Sequence, residues 1–221
     1  MKLRTSSAFT LVEMLTVMAV IAILAGLIVQ VNAFAHKKAA LARAEGEIRT
    51  MVAACEAYKG DFGGYPREDF TDKLDPRVDG NSAGGKYQEA CLVLYKAISG
   101  DAKQGVSPEP PATSTDKPDG KPETKGYCEF RPDQLHKSSS GEIQYIQDPF
   151  GNSYGYSTAG AKTEEKYREA VQKDPSTPRP SGENQQGYSP NFDLWSTGGV
   201  ISKESDETKL NPERKRWVKN W

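Results

Sequence analysis

Residues 9–35, FTLVEMLTVMAVIAILAGLIVQVNAFA, constrain this chain more than any other stretch. From position 14 to position 31 eighteen residues carry no charge, and only Thr16, Gly26 and Gln30 interrupt the apolar sequence. As a helix that run rises roughly 27 Å, close to the hydrocarbon thickness of a bilayer. It is apolar on every side, which suits lipid or the centre of a helix bundle better than a half-wet surface. One carboxylate, Glu13, stands just ahead of it. Placing a carboxylate in the apolar phase costs roughly 2.5–3.5 kcal/mol on insertion scales, so Glu13 needs a partner. With no Lys or Arg close by, the cation has to come from elsewhere.

The segment Ala8-Phe9-Thr10-Leu11-Val12-Glu13, behind a short leader carrying Lys2 and Arg4, resembles the class III signal of type IV pilins and pseudopilins. The resemblance implies cleavage between Ala8 and Phe9 by a prepilin peptidase and N-methylation of Phe9. It also implies an assembly role for Glu13, paired with the terminal amine of a neighbouring subunit. The family usually has Gly before the cut; Ala8 is the next smallest residue, and slower cleavage is expected. The competing reading is an ordinary secretory signal cut after Ala35, but the run is longer than such signals and Glu13 is foreign to them.

Residues 36–59 continue the helix with a new periodicity. Leu41, Ala44, Ile48, Met51, Val52, Cys55 and Tyr58 recur at steps of three and four, an amphipathic stripe facing a core. Lys37 and Lys38 mark the expected exit from the membrane; the positive-inside rule would place them on the cytoplasmic side, in competition with Lys2 and Arg4. A turn-rich connector follows at 60–85. Residues 86–99 are expected as a second helix, with Tyr87, Ala90, Cys91, Leu94, Tyr95 and Ile98 on one face and Gly100 at its end. Residues 101–126 are Pro-rich and polar and are expected to be a flexible insertion, as is 162–190.

From Glu142 the pattern becomes β. EIQYI, the turn DPFGN and SYGYS are expected to form a hairpin, and NFDLWS a further strand. The sheet is thus expected within 142–199. DPFGNSYGY and FDLWSTGG resemble the head of the major, G-type pseudopilin of bacterial type II secretion. Trp217 and Trp221 suggest a tail packed back on the head.

The chain has 221 residues, of which about 185 lie beyond the apolar helix, enough for one domain. The net charge of −1 and the lack of a basic patch argue against a nucleic-acid partner. Cys55, Cys91 and Cys128 show no metal-type spacing; one disulfide is possible outside the cytoplasm, with three pairings open. The two histidines, His36 and His136, sit in no nucleophile or metal motif, so no catalytic residue is assigned and an enzyme is not expected. The resemblance implies a calcium loop after the SerXGly strand end. Here Gly199 replaces the usual aspartate, leaving Ser205, Asp206 and Glu207 as candidate ligands, against a plain solvated acidic loop.

These observations give an α+β expectation: a leader (1–8), a transmembrane and assembly helix (9–35), and a periplasmic head (36–221) in which the long helix packs on a small antiparallel sheet. The implied function is a structural subunit of a type II secretion pseudopilus in the bacterial inner membrane, single-pass, with the head in the periplasm. Its implied partners are other pseudopilin subunits, prepilin peptidase, the inner-membrane assembly platform and lipid. Alternatives are a type IV pilus subunit, a membrane-tethered binding module and an exported soluble enzyme. Pilus subunits usually carry a cysteine-bounded C-terminal loop, which this sequence lacks after Cys128.

Overall fold

A computed structural model describes residues 10–78, 85–101, 125–200 and 214–221. Helix α1, Leu11–Phe62, contains no proline and outruns the expected end at 59 by three residues. The chain divides into two units, residues 1–40 and residues 41–221. The second unit is the head, and its share of α1 supplies the core stripe. Ala44, Ile48, Met51, Cys55 and Tyr58, spaced four, three, four and three, are all buried, while Leu41 and Val52 lie at the margin.

Helix α2, Lys86–Ser99, buries Tyr87, Ala90, Cys91, Leu94, Tyr95, Ala97 and Ile98, the face expected from its period with Ala97 added. It packs against two short strands, β2 (Ile143–Ile146) and β3 (Gly155–Ser157). Burying side chains such as Leu94 and Ile98, both fully enclosed, contributes roughly 1.5–3 kcal/mol each.

The strands form two small antiparallel sheets. β1 (Leu135–Lys137) pairs with β2, setting Leu135 against Ile146 and His136 against Tyr145, with a register irregularity before Lys137. The second sheet runs β3–β4–β5, with β4 at Asp193–Ser196 and β5 at Val218–Lys219. The fold is therefore α+β, a helix packed with small antiparallel sheets, in keeping with a pilin-like head. The expected hairpin is corrected in detail. Its arms meet at the turn, where Gln147 bridges Ser153 and the Tyr154 N–H donates to the Ile146 carbonyl at 3.1 Å, and then part company. β2 turns back to β1, while β3 pairs with β4.

The reason lies in Asp148 and Gly155. Asp148 Oδ1 accepts the N–H groups of Phe150 and Asn152, closing the DPFGN turn, and Oδ2 accepts the Ser196 hydroxyl at 2.6 Å, which ties that turn to β4. Gly155 faces Trp195 across the β3–β4 pair, and a Cβ there would lie 2.1 Å from the indole ring. The missing side chain is what lets β3 lie against β4. Trp195 in turn stacks on Trp217 at 5.5 Å, so the C-terminal aromatic residues do pack on the head.

The expectation of a structureless 162–190 is also corrected. Helix α3, Ala159–Lys173, occupies its first half. Its start is held by the Thr71–Thr158 hydroxyl pair at 2.6 Å and by the Thr158 hydroxyl on Asp72, while Arg67 bridges Asp72 and Glu165. Glu, Lys, Arg, Ala and Gln are strong helix formers, and here they outweigh high charge and the nearby prolines. Beyond it, three successive backbone N–H groups end on two buried carboxylates: Gly187 on Asp75, Tyr188 and Ser189 on Asp193. Burial pushes Asp193 from the ordinary carboxylate range up to about 6. Most of the 101–126 insertion lies outside the described residues.

Candidate functional site

The features with the greatest bearing on function lie at the start of α1. Thr10 is its N-cap and Glu13 its third helical residue. The Thr10 hydroxyl accepts the Glu13 N–H at 3.3 Å, while Glu13 Oε2 accepts both the Thr10 N–H and the Thr10 hydroxyl at 2.9 Å. This is a reciprocal capping box, and its ThrXXGlu signature stands in the sequence although the apolar run draws attention from it. The box fixes where the helix begins and how the carboxylate is held against it. Glu13 Oε1 accepts no hydrogen bond, and no ion pair reaches Glu13, among the described residues.

Around this carboxylate the surface is apolar. Ten large side chains from Leu11 to Leu24 are each half exposed or more, among them Leu11 at 79%, Met18 at 68% and Ile23 at 65%. They lie on all sides of the helix, and Glu13 is the one formal charge between positions 10 and 36. Covering ten such side chains is worth on the order of 10 kcal/mol or more, so this unit needs lipid or other helices around it. Among the described residues no helix is long and apolar enough to cross a membrane. The described side chains of the run stop at Gly26, and those of 27–33 lie outside the set.

In the head, a second carboxylate fastens α1 to the sheets. Glu47 Oε1 accepts from Arg43 and Arg131 at 2.9 Å, and Oε2 accepts the Tyr154 hydroxyl at 2.6 Å. Burial, then the Glu47 charge, pushes the Tyr154 hydroxyl far above its usual pKa, so it stays protonated and donates. Sequence reasoning missed Glu47 because it sits at the edge of the apolar stripe among other charged residues.

Of the residues singled out from sequence, Glu13 is described, whereas Ala8, Phe9, Ser205, Asp206 and Glu207 lie outside the described residues. Among the described residues no three His, Cys, Asp or Glu side chains are grouped so that they could hold a metal ion. The described part of the loop after β4 does not fit the ligand pattern of the resemblance. Gly199 has φ +81°, and a Cβ there would sit 2.9 Å from the Phe150 ring, so a carboxylate in place of Gly199 would be displaced by that ring. The three cysteines are free thiols, with Cys55 and Cys91 buried and Cys128 half-buried. His136 stacks on Tyr145 at 4.5 Å.

Residues 3–29 match the family model described as the prokaryotic N-terminal methylation motif. The matched residues include Ala8, Phe9 and Glu13, and the match supports a type IV pilin-like protein. A motif of this kind implies membrane anchoring, processing by prepilin peptidase and assembly with other pilin-like subunits. No curated protein and no solved structure matches the chain.

Proposed function

We propose that this chain is a structural subunit of a type II secretion pseudopilus, stored in the bacterial inner membrane and assembled through α1. The observation that carries the proposal is Glu13, a lone carboxylate with one open oxygen on an otherwise apolar helix start whose large side chains are half exposed or more. Cleavage between Ala8 and Phe9 would turn an uncharged amide into a terminal amine. A neighbouring subunit could then present that methylated ammonium to Glu13. At 4 Å and an effective dielectric near 20 the attraction is about 4 kcal/mol, comparable to the insertion cost of the carboxylate. Extraction from lipid is tolerated because helix–helix contacts replace lipid contacts while the ion pair sets the axial register. Processing must therefore precede assembly.

Secretion, rather than a surface pilus, is favoured by the DPFGN turn and the DLWSTGG strand end, which resemble the G-type head. The head would be displayed in the periplasm. Substituting Glu13→Ala and co-expressing the wild-type assembly system tests the role: processing should be unchanged and incorporation into filaments lost. Normal filament yield from that variant would sink it.

A further inference from the structure

Tyr127 sets its ring edge-on to Tyr58 of α1, with centroids 5.7 Å apart. The N–H groups of Tyr127 and Cys128 both donate to the Ile98 carbonyl at the end of α2, at 2.8 and 2.9 Å, which fixes this turn of chain. Immediately beyond, Cys128 and Phe130 line a groove of about 420 Å³ together with Glu47, Thr50 and Met51 of α1. Met51, Cys55 and Tyr58 follow one another on the buried face of that helix. Cys128 is thus held between a neighbour that touches Tyr58 and a groove shared with Met51, which sets it at the level of Cys55. The electrostatic influence of Cys128 on the Cys55 thiol agrees with this closeness.

The Cys128 thiol donates to the carbonyl of its chain neighbour Glu129 at 3.8 Å, whereas Cys91 is engaged twice and elsewhere. Its sulfur accepts the Ile146 N–H at 3.3 Å and donates to the Ile146 carbonyl at 3.6 Å, within the packing of α2 on β2. Of the three pairings open from sequence, the fold therefore favours one.

We propose that Cys55 and Cys128 form a redox-responsive disulfide that staples the segment after α2 to α1, while Cys91 remains a thiol. Cys128 is half-buried and lines an open groove large enough for a small oxidant, whereas Cys55 is fully enclosed. The order of reaction follows. The Cys128 thiolate attacks an external disulfide, forming a mixed disulfide and releasing one thiol of the oxidant. The Cys55 thiolate then attacks the Cys128 sulfur and expels the second thiol. Two protein thiols lose two protons and two electrons, and the external disulfide is reduced to two thiols. Burial raises the pKa of both cysteines, so the reaction is slow at neutral pH and quickens as pH rises. The product encloses α2 in a covalent loop and restricts the unfolded chain.

The test uses the purified full chain in detergent, incubated with oxidised glutathione, blocked with N-ethylmaleimide and mapped without reduction. The expected result is a Cys55–Cys128 cross-linked peptide, a raised Tm, and Cys91 alkylated only after denaturation. Cys128→Ser, at a half-exposed site that should leave folding intact, must abolish the cross-link, and Cys91→Ser must keep it. A stable glutathione adduct on Cys128 with Cys55 recovered as a free thiol, a bridge to Cys91, or a bridge only between two chains would each overturn the proposal. Because the isolated subunit is measured, the outcome is independent of the filament reading.

Discussion

Helix α1 lives two lives along one continuous backbone. In the unit ending at Ala40, the apolar side chains from Leu11 to Leu24 are exposed on every side, and the capped Glu13 is the one formal charge between positions 10 and 36. In the head, the same helix hides one stripe against α2 and the sheets and turns Glu47 inward to three donors. The head satisfies its own interior: its buried apolar groups find one another within the chain, and its buried carboxylates Asp75, Asp148 and Asp193 find donors there. The N-terminal unit satisfies neither its apolar surface nor Glu13 Oε1 among the described residues. On the proposed function, stability resides in one region and association in the other, and substitutions should separate them cleanly.

The largest effects belong to the head. Trp195→Ala removes the ring that fills the space opposite Gly155 and stacks on Trp217, and should cost about 3–5 kcal/mol in urea unfolding of the full chain in detergent. Leu94→Ala, at a fully buried position of α2, should cost about 2–5 kcal/mol in the same measurement. Neither should alter cleavage of the leader. Loss of cleavage alongside loss of stability would show that the two regions are not separable.

A smaller effect is expected from Glu47→Ala, which strands the buried Tyr154 hydroxyl and frees Arg131 for solvent. About 1–3 kcal/mol of head stability should disappear, and Tyr154→Phe in the same background should recover part of it. If the two changes add independently, the Glu47–Tyr154 contact is not what fastens α1.

The pH dependence should report on the head alone. Folding raises Asp193 to about 6, so its ionisation opposes folding above that pH, and the penalty is relieved as pH falls from about 6 towards 4. Asp148, also raised by burial, acts in the same direction. Stability should therefore climb on mild acidification by on the order of 2–3 kcal/mol, and Asp193→Asn should flatten that climb. A stability that falls throughout this window would contradict the assignment. The smallest change is Thr10→Ala, which removes the cap of α1 at about 1 kcal/mol of local helix stability and should leave the head's unfolding midpoint unmoved. A shifted midpoint would tie the helix start to the head.

Much of this division is legible in the sequence. The apolar run, the stripe from Ala44 to Tyr58 and the inner face of α2 follow from helical spacing, because a helix writes its buried side into its period. The sheets are harder to read. β1 is three residues of half-exposed chain, and whether β3 pairs with β2 or β4 depends on a Trp195 ring lying where Gly155 has no side chain, forty residues apart in sequence. α3 was masked by charge and proline, which describe solubility rather than backbone preference. At the candidate site Glu13 stands out by its isolation, but its dependence on Thr10 is a local signature easily passed over. Glu47 has no such signal, since its partners Arg131 and Tyr154 come from distant segments.

On the proposed function, the N-terminal unit is processed first and associates afterwards. The most direct test is the intact mass of the membrane-extracted protein, expressed with and without an active prepilin peptidase. Loss of residues 1–8 and gain of one methyl group are expected only when the peptidase is active. A full-length product, or one beginning after Ala35, in the presence of active peptidase would contradict it.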